Sequence, residues 1–356
     1  MTKNDQPPVD PLARMSCPIP ISDYPKVLLA HGGGGQLTQQ LIEKMFVAQF
    51  GNTLGPLHDG AVFPIGDVRL AFSTDSYVVN PIFFPGGSIG ELAVNGTVND
   101  LSMCGAQPLY LSAAFIIEEG LPMEDLWRVV VEMQNAAKRA GVALVTGDTK
   151  VVDRGKGDKL FITTSGVGVV PHTVRINPSN ARPGDAIIIN GPIAQHGIAV
   201  MSVREGLQFD APVMSDTAPL NGLVNAMLLA CGNIHVMRDP TRGGVASVLN
   251  EIAGEARVGI LIDEEAIPLD DAVRGACEIL GLDPLYVANE GKLLAFVPPE
   301  GTDAVLTAMR AHPLGRESRI IGKVISEHPR LVVMKTSIGG TRVVDMLSGE
   351  QLPRIC

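Results

Sequence analysis

Asn177-Pro178-Ser179-Asn180-Ala181-Arg182-Pro183-Gly184 decides how this chain is organised. From Pro171 onward the hydrophobic periodicity lapses, and this stretch is almost all turn chemistry. Proline fixes φ, Asn and Ser bond to their own backbone, and Gly reaches positive φ. A chain of 356 residues is too long for one small domain, so a lapse near its middle divides it in two. We expect a loose arm over 1–24, a first domain over 25–172, a second over 180–344, and a mobile tail over 345–356.

Upstream of the boundary, Val27-Leu28-Leu29-Ala30 runs into His31 and the glycines Gly32, Gly33, Gly34 and Gly35. Leu37, Leu41 and Met45 then share a helical face that Gly51 ends. Strands are expected over 68–79, 109–117, 142–145 and 160–170, and a helix over 88–104. The clearest helix is 122–140, with Pro122 at its start, Glu124 and Asp125 in its first turn, and Lys138, Arg139 and Gly141 at its end. Downstream, strands are expected over 186–189, 258–262, 293–297, 319–325 and 331–334. Helices are expected over 196–205, 218–231, 242–255, 269–280 and 302–312. Strands within each half can pair through hairpins, so the expected class is α+β, with mixed or antiparallel sheets flanked by helices.

Composition narrows the function. A net charge of −10 argues against general nucleic-acid binding and against an anionic membrane surface. No apolar run approaches the ~18–20 residues of a membrane span. Met1 to Arg14 is polar and proline-rich, without the apolar core of a signal peptide. The cysteines 17, 104, 231, 277 and 356 are odd in number and lack CxxC spacing, which suits reduced thiols in a cytoplasm. The first four of these, in apolar or loop contexts, read as packing thiols.

Four motifs place aspartates at what read as strand ends and turns: Asp59-Gly60-Ala61, Thr74-Asp75-Ser76, Asn99-Asp100 and Gly147-Asp148-Thr149-Lys150. Each sits among small or apolar residues, where an unpaired carboxylate is costly. Several converging carboxylates call for a hard cation such as Mg²⁺, with a nucleotide polyphosphate as its usual companion. Taken singly, each is equally a turn aspartate or helix cap. Gly32 to Gly35 reads as a phosphate-cradling lid or a plain turn; no Gly-Lys-Ser/Thr follows, so it is not a Walker A loop. Arg238-Asp239-Pro240-Thr241-Arg242-Gly243-Gly244 joins a carboxylate to a helix start. In Asn289-Glu290-Gly291-Lys292 the glutamate reads as a general base or a turn residue. His196 stays unassigned. The chain ends Pro353-Arg354-Ile355-Cys356, and a thiol on the last residue suits a carrier tail. After Val344 about a dozen residues remain, enough at roughly 3.3 Å each to reach about 40 Å.

Together these motifs resemble, in order over about 25–356, the carbamoyl dehydratases of [NiFe]-hydrogenase maturation, the HypE family. The terminal Pro-Arg-Ile-Cys is specific to that family. The aspartates alone mark the wider superfamily of aminoimidazole ribonucleotide synthetase, selenophosphate synthetase and thiamine-monophosphate kinase. The resemblance implies a PurM-like two-domain fold that pairs as a homodimer. ATP and Mg²⁺ would be held by Asp59, Asp75, Asp100, Asp148 and Asp239 under the glycine loop, with the first four as metal ligands. A carbamoyltransferase, HypF, would load the Cys356 sulfur. ATP would phosphorylate the amide oxygen, loss of phosphate would leave a thiocyanate, and a HypC–HypD complex would receive the cyanide. Two N–H protons must leave, so Glu290 and Lys150 are the candidate bases, Lys150 otherwise stabilising charge. A selenophosphate synthetase-like enzyme would not need Cys356. A non-catalytic adaptor would have no use for converging carboxylates.

Overall fold

The computed structural model describes residues 26–51, 57–207 and 212–348. The arm 1–24, Cys17 and the Pro353–Cys356 terminus lie outside the described residues.

The chain opens with a helical passage, α1 (Gln36–Leu41), a π-helical turn (Ile42–Val47) and α2 (Ala48–Phe50), ended by Gly51. The first sheet contains β1 (Ala61–Ile65), β2 (Val68–Tyr77), β5 (Gln107–Glu118), β6 (Ala143–Val152) and β7 (Leu160–Val170), in the order β1-β2-β7-β5-β6. Only the β5–β6 pair is parallel. A small hairpin of β3 (Phe83–Phe84) and β4 (Gly87–Ser88) leads into α3 (Ile89–Met103). The Ser88 hydroxyl caps α3 by accepting from the Glu91 N–H. Helix α4 (Met123–Ala140) packs beside α3, and α3 lies on β2 and β7.

Ala71, Ser73 and Tyr77 of β2 are buried beneath α3, whereas Phe72, Thr74 and Ser76 between them are exposed, the period of a strand with one covered face. The uncovered face shows Phe72, Tyr110 and Ile116 to solvent. Strand β6 is exposed along nearly its whole length at the sheet edge.

A 3₁₀ turn (Pro178–Asn180) then leads into the second sheet. It holds β8 (Ala186–Ile189), β9 (Val236–Arg238), β10 (Gly259–Asp263), β11 (Leu294–Val297), β12 (Arg319–Ile325), β13 (Val332–Lys335) and β14 (Thr341–Val343). Their order is β14-β13-β10-β12-β8-β11-β9, with β10–β13 parallel and the other pairs antiparallel. Helices α5 (Gln195–Arg204), α6 (Asn221–Ala230), α7 (Gly244–Ala256), α8 (Asp271–Leu280) and α9 (Pro299–Ala311) flank it. One core cluster runs from Leu92 and Leu101 of α3 to Leu223 of α6 and Val305 of α9, so the two halves share packed apolar surface.

Two expectations need correction. The strand expected over 142–145 continues to Val152, so Asp148 and Lys150 stand within a strand, not in a turn. An exposed edge strand accepts polar side chains that a buried one would reject, and the sequence therefore looks like a turn. Likewise Asp75 lies inside β2 and Asp100 inside α3. Strands β1, β9 and β14 and the β3–β4 hairpin, all short, were not expected from periodicity.

Candidate active site

The site forms where β2, α3 and the turn before α7 meet. Residues two apart on a strand share a face, so Ser73, Asp75 and Tyr77 line one side of β2. Residues four apart on a helix share a side, so Gly96 and Asp100 of α3 stand over them. The Ser73 hydroxyl donates to Asp100 Oδ2 at 2.6 Å. Asp59 enters from the segment before β1, and Asp239 from the turn after β9 in the second half. Carboxylate oxygens of Asp59, Asp100 and Asp239 lie within 4.8 Å of one another. Arg238 Nε pairs with Asp59 Oδ1 at 2.6 Å, and its Nη2 with Glu251 at 2.7 Å. Arg242 Nη2 stands 3.7 Å from Asp75.

Burial, then the charges of Asp239, Asp59 and Asp75, holds the Asp100 carboxyl well above the usual carboxylate range. Burial and Asp59 do the same to Asp239. Three carboxylates on one point, Asp239 buried and Asp59 and Asp100 partly so, repel one another, and all their donors are hard oxygens. That donor set fits Mg²⁺.

Glu290 reaches the same cleft, lined by Asp75, Tyr77, Gly96, Asp100, Asp239 and Arg242. It is buried, and burial, followed by Asp216, Asp239 and Asp75, raises its carboxyl well above the ordinary value. Its backbone is clamped from both halves. The Glu290 N–H donates to Asp216 Oδ1 (3.1 Å), while the Asn99 amide of α3 donates to the Glu290 carbonyl (3.2 Å). Asn99 also donates to the Ala218 carbonyl (3.1 Å) and accepts from the Leu220 N–H (2.8 Å). Lys292 pairs with Asp216 at 3.1 Å, neutralising the clamp. A Cβ on Gly291 would come within 1.8 Å of the Asp216 carbonyl oxygen. Gly291→Ala is therefore expected to displace Glu290 and cost about 1–3 kcal/mol, read as a lowered unfolding midpoint together with lost turnover.

The glycine run lies against this turn. A Cβ on Gly34 would stand 2.5 Å from the Arg242 carbonyl oxygen, and one on Gly35 would stand 2.3 Å from that of Leu347. The Gln36 N–H donates to the Leu347 carbonyl at 3.0 Å. Gly32 has open space beside it, and a Cβ on Gly33 would make only an ordinary contact, 3.8 Å from the Ala30 carbonyl oxygen. The loop thus links the Arg242 turn to the segment that leads to the C-terminus. At the start of α7, Gly243 and Gly244 both hold positive φ (79° and 63°), which explains two poor helix formers there.

Within one chain the structure brings together Asp59, Asp75, Asp100, Asp239 and Glu290, but not Asp148 or Lys150. Strands β7 and β5 separate β6 from β2, a distance of roughly 14 Å at the usual strand spacing. Lys150 is exposed there, without the burial that a base role would call for. Sequence reasoning gave no role to Tyr77, Asn99, Asp216, Arg238 or Lys292. The step of two from Asp75 to Tyr77 was the available signal for the first. His196 is fully buried, with Nδ1 2.8 Å from the Ser215 hydroxyl and its ring edge-on to Phe84, a packing position. Cys104 and Cys277 are buried thiols as expected.

Comparison with known proteins agrees with this geometry. Residues 57–170 match the N-terminal domain of AIR synthase related proteins, and residues 182–334 match their C-terminal domain. These matches and the mixed two-sheet architecture define an AIR synthase-related, PurM-like protein. The chain is 56% identical over 333 residues to the carbamoyl dehydratase HypE of Rhizobium leguminosarum bv. viciae, covering 93% of this chain and 95% of that one. A crystal structure of a HypE–HypF complex superposes with a TM-score of 0.82 at 49% identity, covering 86% of this chain and 99% of that chain. A crystal structure of HypE with ATP gives 0.79 at 50%, covering 93% and 100%. The chain belongs to the HypE carbamoyl dehydratases, ATP-dependent enzymes of hydrogenase maturation. Among the described residues, no helix is long and apolar enough to cross a membrane.

Proposed function

We propose that this chain dehydrates a carbamoyl group carried on its own Cys356 to a thiocyanate, using ATP, and that the cyanide becomes an iron ligand of [NiFe]-hydrogenase. The observation that carries the reading is one cleft holding both a carboxylate cluster fit for Mg²⁺ and, beside it, a buried glutamate with a raised pKa. Asp59, Asp100 and Asp239 would hold the cation, with Asp75 beside them. When bound, Mg²⁺ neutralises phosphate charge and polarises the γ-phosphoryl group. The glycine loop closes over the nucleotide. The carbamoyl oxygen takes the γ-phosphoryl group as ADP leaves. The C–O bond then breaks with its electron pair on the departing phosphate, and two N–H protons are lost in all. Glu290 accepts one of them, and the departing phosphate takes the other. Burial, then Asp216, Asp239 and Asp75, raise the Glu290 carboxyl above the ordinary range, which makes it a stronger base than a solvated carboxylate. HypF is the carbamoyl donor and a HypC–HypD complex the cyanide acceptor.

Lys150 and Asp148 enter this reading through a homodimer. The apolar sheet face and the open β6 edge, with Val145 and Val151 exposed, suit a second copy of the chain. A second copy seated there would offer its Asp148 and Lys150 to the site of its partner, where Lys150 stabilises charge. Val145→Asp is expected to halve the solution mass in sedimentation and to depress turnover strongly. A variant that stays dimeric would remove this face from the interface.

A further inference from the structure

We propose that Tyr77 is a catalytic residue, its phenol donating a hydrogen bond to the oxygen that passes from the carbamoyl group to phosphate. Tyr77 is buried, yet among the described residues its hydroxyl makes no hydrogen bond of good geometry, Thr97 being near enough only to interact with it weakly. Such a group is costly in a folded protein and marks either a defect or a function. The neighbouring Thr97 hydroxyl gives its proton to Thr164 at 2.6 Å, because Thr164 gives its own to the Ala93 carbonyl, so Thr97 does not donate to the phenol. Space for the phenol oxygen is made by Gly96, where a Cβ would lie 2.0 Å from it.

The surroundings define what the hydroxyl is for. Tyr77 lines the cleft with the carboxyl groups of Asp75, Asp100, Asp239 and Glu290 and with Ser76, Thr241 and Arg242. A phenol is protonated at neutral pH and can donate. It stands among the carboxylates for the cation and the base for the N–H proton. The reacting oxygen must occupy that interval, since it bridges the phosphorus on one side and the carbon of the deprotonating amide on the other. A preorganised donor at that oxygen gains strength as the C–O bond breaks and charge moves onto it. The assignment rests on the dehydratase reading above and adds a residue to it.

Tyr77→Phe removes one oxygen and keeps the ring. Full-length wild type and variant are carbamoylated on Cys356 by the transferase, then mixed with Mg–ATP and followed by intact mass in a single turnover. The variant is expected to convert about 10²–10³-fold more slowly, to bind ATP within about twofold of wild type, and to unfold no earlier than wild type without nucleotide. Conversion by the variant at the wild-type rate overturns the proposal and leaves the dehydratase reading intact. A lowered unfolding midpoint with lost ATP binding, or failure to fold, overturns it by assigning the hydroxyl a structural role. Failure of wild type itself to convert removes both.

Discussion

Glu290→Gln is expected to leave a folded protein that binds ATP but no longer turns carbamoyl into thiocyanate, with the rate lowered about 10²–10⁴-fold. The structure separates the two duties of this residue. The bonds from Asn99 and Asp216 hold the Glu290 backbone, so the amide keeps the loop where it is. Only proton acceptance is lost. The pH dependence follows with a definite sign. A base works when deprotonated, and burial, Asp216, Asp239 and Asp75 raise this carboxyl above the ordinary range. The single-turnover rate should therefore rise with pH along a limb lying above the usual carboxylate value. Glu290→Gln should abolish that limb. A wild-type rate that stays flat as pH rises above the usual carboxylate range would take the base role away from Glu290.

Asp100→Asn should be the most damaging single change in the cation site and should raise stability as it does so. Asp100 lies within ligand distance of both Asp59 and Asp239, so losing its charge leaves the cation two carboxylates from two different halves. A cation contributes several kcal/mol to phosphoryl transfer, so turnover should fall about 10²-fold or more. Asparagine still accepts from Ser73. Without cation, however, the wild-type carboxyl is buried against three like charges. Its raised folded-state pKa means that it weakens the fold at neutral pH and ceases to do so only once the unfolded chain's carboxyl is protonated as well. The ion-free variant should therefore unfold at a higher temperature than wild type at neutral pH. The gap should narrow as pH falls below the raised value and close at the ordinary carboxylate value of the unfolded chain, and added Mg²⁺ should stabilise wild type far more than the variant. Equal unfolding curves across that range, with or without Mg²⁺, would contradict the assignment.

Much of this was legible in the sequence, and the residues show why. Helix α4 announces itself through Pro122, the acids of its first turn and Gly141, all local effects. The inter-sheet boundary is equally local, a run of turn residues. The carboxylates could be picked out because charge among small apolar residues needs a reason. What sequence could not give is which of them meet. Asp239 lies far along the chain from Asp59 and Asp100, yet packing of the two halves through α3 and α6 seats all three on one point. Asp148 lies much nearer in sequence to Asp100 but is carried to the far edge by the strand order β1-β2-β7-β5-β6. Tyr77 passes for a core aromatic until Gly96 is seen to make room for its hydroxyl. Asn99 and Asp216 act on backbone atoms, and no motif marks that duty.

The most direct test of the dehydratase reading is the intact mass of the full chain after carbamoylation by its transferase, taken before and after Mg–ATP. The expected result is a gain of one carbamoyl group on Cys356, followed by loss of one water only when ATP and Mg²⁺ are both present. A Cys356 mass that never changes, while ATP is still consumed with some small molecule, would contradict it and would make the chain a synthetase whose tail is incidental.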